Sequence, residues 1–177
     1  MMEHGRDLSI SMERANLIVL FTTIPVAAAQ FVIFTLIHGG EGLETTWNFA
    51  LLIFAVLLGV VMHELIHGVA WMLFGRKPFS AIKFGFQWKS FTPYAHLKEP
   101  VEVNAYRAGA FMPGFILGIL PYFLSLVLRD GNLFWFGLVH TAGASGDWLV
   151  LWLIRKVRAG TYVKDHPTNA GCYVLDA

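Results

Sequence analysis

Two histidines and one glutamate stand at a spacing that can bind and use a metal ion. His63 and His67 are four residues apart in the pentapeptide His-Glu-Leu-Ile-His. On a helix both imidazoles therefore lie on one face, where they can ligate one Zn²⁺. Glu64 then lies beside the ion, where its carboxylate can accept a proton from a water molecule. The pattern predicts a hydrolytic site with His63 and His67 as metal ligands and Glu64 as the catalytic base.

The surroundings of the pentapeptide strengthen this prediction. It lies in an apolar run, residues 47–74, in which Glu64 is the only formally charged residue. A carboxylate at bilayer depth costs about 2.5–3.5 kcal/mol on insertion scales, so such residues are rare and usually functional. The alternative is that neighbouring helices satisfy both histidines without a metal ion. The segment favours a metal site inside a membrane.

The composition is that of an integral-membrane protein. Of the 177 residues, 56% are hydrophobic and 14% are charged, whereas soluble domains carry about 25% charged residues. The net charge of +1 gives no reason to expect nucleic acid as a partner. Cys172 is the only cysteine, which excludes an internal disulfide and a cysteine-rich zinc site. We therefore predict a single domain, residues 1–177, embedded in the lipid bilayer.

Four apolar segments are long enough to cross a bilayer as helices. They cover residues 15–37, 47–74, 108–128 and 133–154. The first could instead be a signal peptide cleaved after Ala29, but its apolar run continues well past that position, which favours an uncleaved span. Basic residues precede the first segment, separate the second from the third and follow the fourth, so the positive-inside rule puts both termini in the cytoplasm. We expect an all-α, multi-pass protein of the cell membrane.

The loop between the second and third segments has the pattern of a β-hairpin. From Ile82 to Trp88, large apolar side chains alternate with lysine, glycine and glutamine, which is the period of a strand. A turn near Lys89-Ser90 would lead into a second strand that contains Pro93, a residue confined to sheet edges. We predict a hairpin over residues 79–97, in the cytoplasm or at the membrane surface.

A third metal ligand is expected, because a catalytic zinc ion normally has three protein ligands and one open position. Asp147 is the leading candidate: it precedes Arg155 by eight residues, and His67 precedes Arg76 by nine. Both side chains then lie roughly 12–14 Å from the same ends of their helices. The alternative for Asp147 is a hydrogen bond between helices. His140 lies roughly 10 Å deeper and is better explained as a packed polar residue.

Two side chains of the loop are candidates for substrate binding. Tyr94 and His96 share one face of the second predicted strand and could reach the mouth of the metal site. The alternative is an interfacial position without contact to a substrate.

Several motifs together resemble the Putative zincin peptidase family of bacterial membrane proteins. They are His63-Glu64-Leu65-Ile66-His67-Gly68, Thr92-Pro93-Tyr94-Ala95-His96, Lys98-Glu99-Pro100, Met112-Pro113-Gly114, Gly146-Asp147, Asp165-His166-Pro167 and Gly171-Cys172. The resemblance covers residues 45–175 and implies a relation to site-2 intramembrane metalloproteases, in which a later span donates an aspartate to the metal, here Asp147. The Asn-Pro run that usually precedes that aspartate is absent from this sequence.

Three functions are compatible with the residues. The first is an intramembrane zinc metalloprotease that binds one Zn²⁺ and cleaves a membrane-embedded or membrane-adjacent protein or peptide. The second is a non-catalytic membrane protein with a structural metal, and the third is a divalent-metal transporter. A structural site has no need of Glu64, and a transporter should carry more polar residues along a path through the membrane. The metalloprotease is therefore favoured, while the substrate and the oligomeric state are not specified by the sequence.

Overall fold

The computed structural model describes residues 5–88 and 92–175. In this part of the chain, three helices are long and apolar enough to cross a membrane. They are Met12–His38, Phe49–Gly75 and Val103–Leu128. The first three predicted spans are thus confirmed as helices, and this finding is consistent with a membrane protein.

The first two helices are apolar along most of their length and have polar N-cap residues. Helix α1 (Met12–His38) begins after Ser11, and helix α2 (Phe49–Gly75) begins after Asn48. The Asn48 side chain accepts a hydrogen bond of 2.9 Å from the backbone N–H of Leu51, which satisfies one of the free donors at a helix start. Most side chains of both helices are apolar and exposed, as lipid contact requires.

The third apolar helix is longer than predicted and is not uniform. It consists of α3 (Val103–Pro113), a π-helical stretch (Gly114–Ile119) and α4 (Leu120–Leu128). Gly114 and Gly118 pack against the following helices, because a Cβ at Gly118 would lie only 2.7 Å from the backbone nitrogen of Thr141. The close approach expected of a G-x-x-x-G pair is therefore present.

The fourth predicted span, residues 133–154, is not one continuous helix. It is divided into α5 (Gly131–Gly143) and α6 (Ser145–Leu153), with the break at Ala144. With 13 and 9 residues, each half is shorter than the roughly 20 residues that a spanning helix needs. The small residues at the break explain it, since glycine on either side of Ala144 weakens a helix.

The predicted hairpin is present as two antiparallel strands. Strand β2 (Ile82–Gln87) pairs with β3 (Thr92–Leu97), with Ile82 opposite Leu97 and Phe84 opposite Ala95. The turn predicted near Lys89-Ser90 lies outside the described residues. A side chain at Gly68 of α2 would collide with the Phe84 ring, so the hairpin rests on α2 one residue after His67.

A second sheet was not predicted from the sequence and corrects the all-α expectation. Its strands are β1 (Arg6–Ile10), β4 (Val101–Glu102), β5 (Tyr162–Asp165) and β6 (Ala170–Leu175), in the antiparallel order β1-β6-β5-β4. We call it the terminal sheet, because it pairs the first strand of the chain with the last. The fold is mostly helical, with two small antiparallel sheets.

The terminal sheet covers one end of the helices. Its buried residues Val163, Cys172 and Val174 join the hairpin and the ends of α2 and α3 in one apolar core. A smaller core around Phe34 and Phe134 closes the opposite end of the bundle. Both ends of the described chain therefore lie at the same end of the helices as the hairpin.

Candidate metal centre

The structure brings together the three residues that the sequence predicts as metal ligands. His63 and His67 project from one face of α2, and Asp147 lies in the first turn of α6. The Nε2 atom of His63 is 3.0 Å from Oδ2 of Asp147, and Nε2 of His67 is 3.4 Å from Oδ1. All three ligand atoms lie within 4.8 Å of one another. The sequence-based choice of Asp147 is therefore supported by its position.

The break at Ala144 has a consequence for this site. It places the start of α6 inside the bundle, so that Asp147 occupies the positive end of a helix. A carboxylate is stabilised there by the helix dipole.

The donor set fits a zinc ion. Zinc binds imidazole nitrogen and carboxylate oxygen at about 2.0–2.2 Å in tetrahedral geometry, which places neighbouring ligand atoms about 3.3 Å apart. The observed separations of 3.0 and 3.4 Å are compatible with that spacing, and the shorter one is also the length of a hydrogen bond between His63 and Asp147. In addition, Nδ1 of His67 donates a hydrogen bond of 3.0 Å to the Gly109 carbonyl, which leaves the Nε2 lone pair free for a metal. Three protein ligands would leave the fourth position for water or substrate.

Glu64 lies beside the three ligands and against the hairpin. Its carboxylate interacts electrostatically with His67, His63 and Asp147. It also accepts a hydrogen bond from the backbone N–H of Ala95 in β3. The outer edge of β3 therefore faces the metal site, because this N–H points away from β2. Pro93 lies two residues earlier on the same edge, where its missing N–H costs no bond to β2. The prediction of an edge strand close to the metal residues is confirmed for the described part of the hairpin.

The comparison with protein families agrees with this geometry. A family model with the description "Putative zincin peptidase" matches residues 56–162, more than half of the chain. The chain belongs to this family. No curated protein and no solved structure shows significant similarity to it. Membership indicates a metallopeptidase with zinc as its cofactor, and the matched residues include the ligand candidates and Glu64.

Asp165 joins the terminal sheet to the hairpin. Its Oδ2 accepts hydrogen bonds from the Leu97 backbone N–H at 3.3 Å and from Nδ1 of His96 at 2.8 Å. Its Oδ1 accepts the hydroxyl of Tyr106 at 2.7 Å. The end of β3 is therefore fixed by a carboxylate two residues beyond Ala95. Sequence reasoning missed this role, for which the Asp165-His166-Pro167 motif was the available signal.

An aromatic column connects the same carboxylate to the metal centre. The His67 ring stacks on Trp71 with centroids 5.6 Å apart, and Trp71 stacks on Tyr106 at 6.2 Å. A Cβ at Gly109 would collide with the Trp71 indole, so only glycine lets the Trp71 ring pack against α3 at this position. The carbonyl of the same residue accepts the hydrogen bond from His67. Packing in the column thus holds the His67 ring in position.

The predicted substrate contacts of Tyr94 and His96 remain predictions. Side chains alternate along a strand, and Phe84, opposite Ala95, packs on α2. Tyr94 and His96 therefore point to the other face of the hairpin. The Tyr94 ring lies across Gly85, and His96 binds Asp165.

His140 is a packed residue, as its position along α5 predicts. Only 3% of its surface is exposed, and its Nε2 packs against Gly59, one turn before His63 on α2. It does not belong to the group formed by His63, His67 and Asp147.

Proposed function

We propose that the protein is an intramembrane zinc metallopeptidase of the site-2 protease type. It hydrolyses peptide bonds of membrane-embedded or membrane-adjacent substrates. The observation that carries the proposal is the meeting of His63, His67 and Asp147 beside Glu64, on helices of which α2 is apolar enough to cross a membrane. One zinc ion is assigned to these three ligands.

Glu64 is assigned the proton transfers. When bound, zinc supplies a Lewis acid that activates water and polarises the scissile carbonyl. Glu64 accepts a proton from the attacking water and then donates it to the leaving amine. The Ala95 N–H orients the carboxylate for both steps. A structural metal site would require no such base, which is why Glu64 favours an enzyme.

The substrate is expected to bind in an extended conformation. A peptide bond in a helix is shielded by its own hydrogen bonds, so a helical segment must unwind before attack. Strand β3 turns its outer edge toward Glu64, and the backbone carbonyls of this edge can accept hydrogen bonds from an extended peptide. We therefore assign substrate binding to this edge, with the scissile carbonyl next to Glu64.

The charge distribution supports a cytoplasmic position for both termini. Basic residues lie where the helices meet the hairpin and the terminal sheet, and at the opposite end Arg129 is accompanied by Glu41 at 3.4 Å. The basic residues near the sheets are Arg14, Arg76, Lys77, Arg155, Lys156 and Arg158. The positive-inside rule then places the metal centre nearer to the cytoplasmic side of the cell membrane.

The proposal is tested with purified protein reconstituted into vesicles together with a reporter that contains one transmembrane helix. Zinc-loaded protein should cleave the reporter, a chelator should stop cleavage, and zinc should restore it. Mass spectrometry of the products should place the new termini within or beside the transmembrane segment. Cleavage that a chelator leaves unchanged would contradict the metal mechanism, and termini far from the membrane would contradict the intramembrane site.

A further inference from the structure

A groove of about 400 Å³ runs along the outer surface of the bundle, between α1 and α6. Its walls are almost wholly apolar. They are formed by Ile18, Thr22 and Val26 of α1 and by Ser145, Trp148, Leu149 and Trp152 of α6. The α6 residues recur every three or four positions and so form one face of the helix, whereas Asp147 points from the opposite face to His63. The groove is thus separate from the metal centre.

Both walls of the groove end in an arginine. Arg14 lies one turn before Ile18 on α1, and Arg155 follows Trp152 by three residues. The Arg155 guanidinium lies 3.8 Å from the centroid of the Trp152 ring and donates a 2.6 Å hydrogen bond to the Trp152 carbonyl. Helix α1 starts directly after β1, and α6 ends shortly before β5, in the same sheet. Arg14 and Arg155 therefore lie toward the same end of the groove.

The length of the groove suits an acyl chain. Ile18 and Val26 are eight residues apart, or about 12 Å along a helix, and the groove has a volume of about 400 Å³. From Arg14 to Val26 the rise is about 18 Å, close to the depth of one leaflet of a hydrocarbon core about 30 Å thick. The groove therefore has the length and the apolar lining for an acyl chain, with an arginine at headgroup level on each wall.

We propose that the groove binds an anionic phospholipid of the leaflet that faces the terminal sheet. One acyl chain lies against Trp148 and Leu149, and the phosphate lies between Arg14 and Arg155. A hydrogen bond of 2.7 Å from the Thr23 hydroxyl to Ser145 joins α1 and α6 at the deep end. The lipid would fill the space between the two helices toward the headgroups and so stabilise the contact of α1 with the helix that carries Asp147.

Native mass spectrometry of the full chain tests this proposal. The protein is released from micelles that contain equal amounts of dioleoylphosphatidylglycerol and dioleoylphosphatidylcholine. A basic residue near a membrane surface favours an anionic lipid by about five-fold, so the wild type should prefer phosphatidylglycerol by roughly 25-fold. The double variant Arg14→Gln/Arg155→Gln should lose this preference.

Three controls separate a built site from general charge. Arg129→Gln, at the opposite end of the bundle, should keep the preference, and so should Arg14→Lys/Arg155→Lys, which retains both charges. Thr22→Phe should fill the groove and reduce binding of both lipids by several-fold. Zinc content, measured on each sample, verifies the fold. Equal binding of the two lipids by the wild type, or an unchanged preference in the double glutamine variant, would overturn the proposal. A dimer without bound lipid would also overturn it, by showing a second copy in the groove.

Discussion

Replacement of Asp165 by asparagine tests whether the terminal sheet holds strand β3 in position beside Glu64. The carboxylate accepts three hydrogen bonds, from the Leu97 N–H, the His96 ring and the Tyr106 hydroxyl. Asparagine retains one carbonyl oxygen, which can still accept the tyrosine hydroxyl. Its amide nitrogen cannot accept a bond, so the two bonds to Oδ2 are lost.

The size of the effect follows from these two bonds. A hydrogen bond to a charged group contributes about 1.5–3 kcal/mol, so two lost bonds would cost about 3–6 kcal/mol. The His96 side chain is 27% exposed, and water can replace part of its bond, so the lower end applies. Because about 1.4 kcal/mol corresponds to a factor of ten, we expect kcat/KM to fall by about 100-fold as β3 leaves its position beside Glu64.

The assay measures kcat and KM for the transmembrane reporter together with zinc content. Asp165 is not one of the three proposed metal ligands, so zinc stoichiometry should stay at the wild-type value while KM rises, since β3 is proposed to hold the substrate. Lys164→Gln is the matched control, because Lys164 is the exposed neighbour on β5. Wild-type kinetics in Asp165→Asn would refute the positioning role, and a loss of zinc in parallel with activity would show a general loss of fold instead.

Three further predictions concern the ligand, the hairpin contact and the buried thiol. Asp147→Ala should weaken zinc binding at least about 100-fold, since it removes a ligand. The control Glu99→Gln should leave zinc binding unchanged, because Glu99 pairs with Lys77 outside the helices. Equal zinc affinity in both variants would remove Asp147 from the site. Gly68→Ala places a Cβ 2.7 Å from Cζ of Phe84 and should destabilise the protein by about 1–3 kcal/mol in thermal unfolding, whereas Gly143→Ala, with open space around it, should not. Burial, with Asp165 and Asp7 nearby, raises the pKa of the Cys172 thiol to about 12, so iodoacetamide at pH 8.5 should react at least about 100-fold more slowly with the folded than with the denatured protein. The pKa of the Cys172 thiol is higher in the folded protein than in the unfolded one. Its contribution to the free energy of unfolding is therefore fully present below about pH 9. The free energy of unfolding should decrease as the pH rises from there toward 12.

The grouping of the three candidate metal ligands was predictable because its signals are local. The four-residue spacing of His63 and His67 places both side chains on one helix face. The depth of Asp147 in the membrane follows from the number of residues between it and the basic end of its helix. The alternating side chains after Ile82 likewise predict strand β2 from a few neighbouring residues. Each of these inferences depends on the period of one element and needs no knowledge of its partners.

The missed features depend on contacts between distant parts of the chain. Strand β1 has five residues and pairs with β6, more than 150 positions away, so neither short segment reveals its partner. The three donors to Asp165 come from β3 and α3, which a reading of the tail alone does not bring together. At Ala144, the surrounding small residues favour close packing and a helix break equally, and the sequence does not distinguish the two.

The most direct measurement of the central claim compares Glu64→Gln with the wild type in one preparation, recording zinc content and reporter cleavage together. Glutamine keeps the size of the side chain but cannot accept the proton of the attacking water. The variant should bind zinc as the wild type does and lose about 10²–10⁴-fold in turnover, the usual contribution of general acid–base catalysis. Full turnover with glutamine at position 64, at unchanged zinc content, would contradict the assignment of Glu64 as the catalytic base.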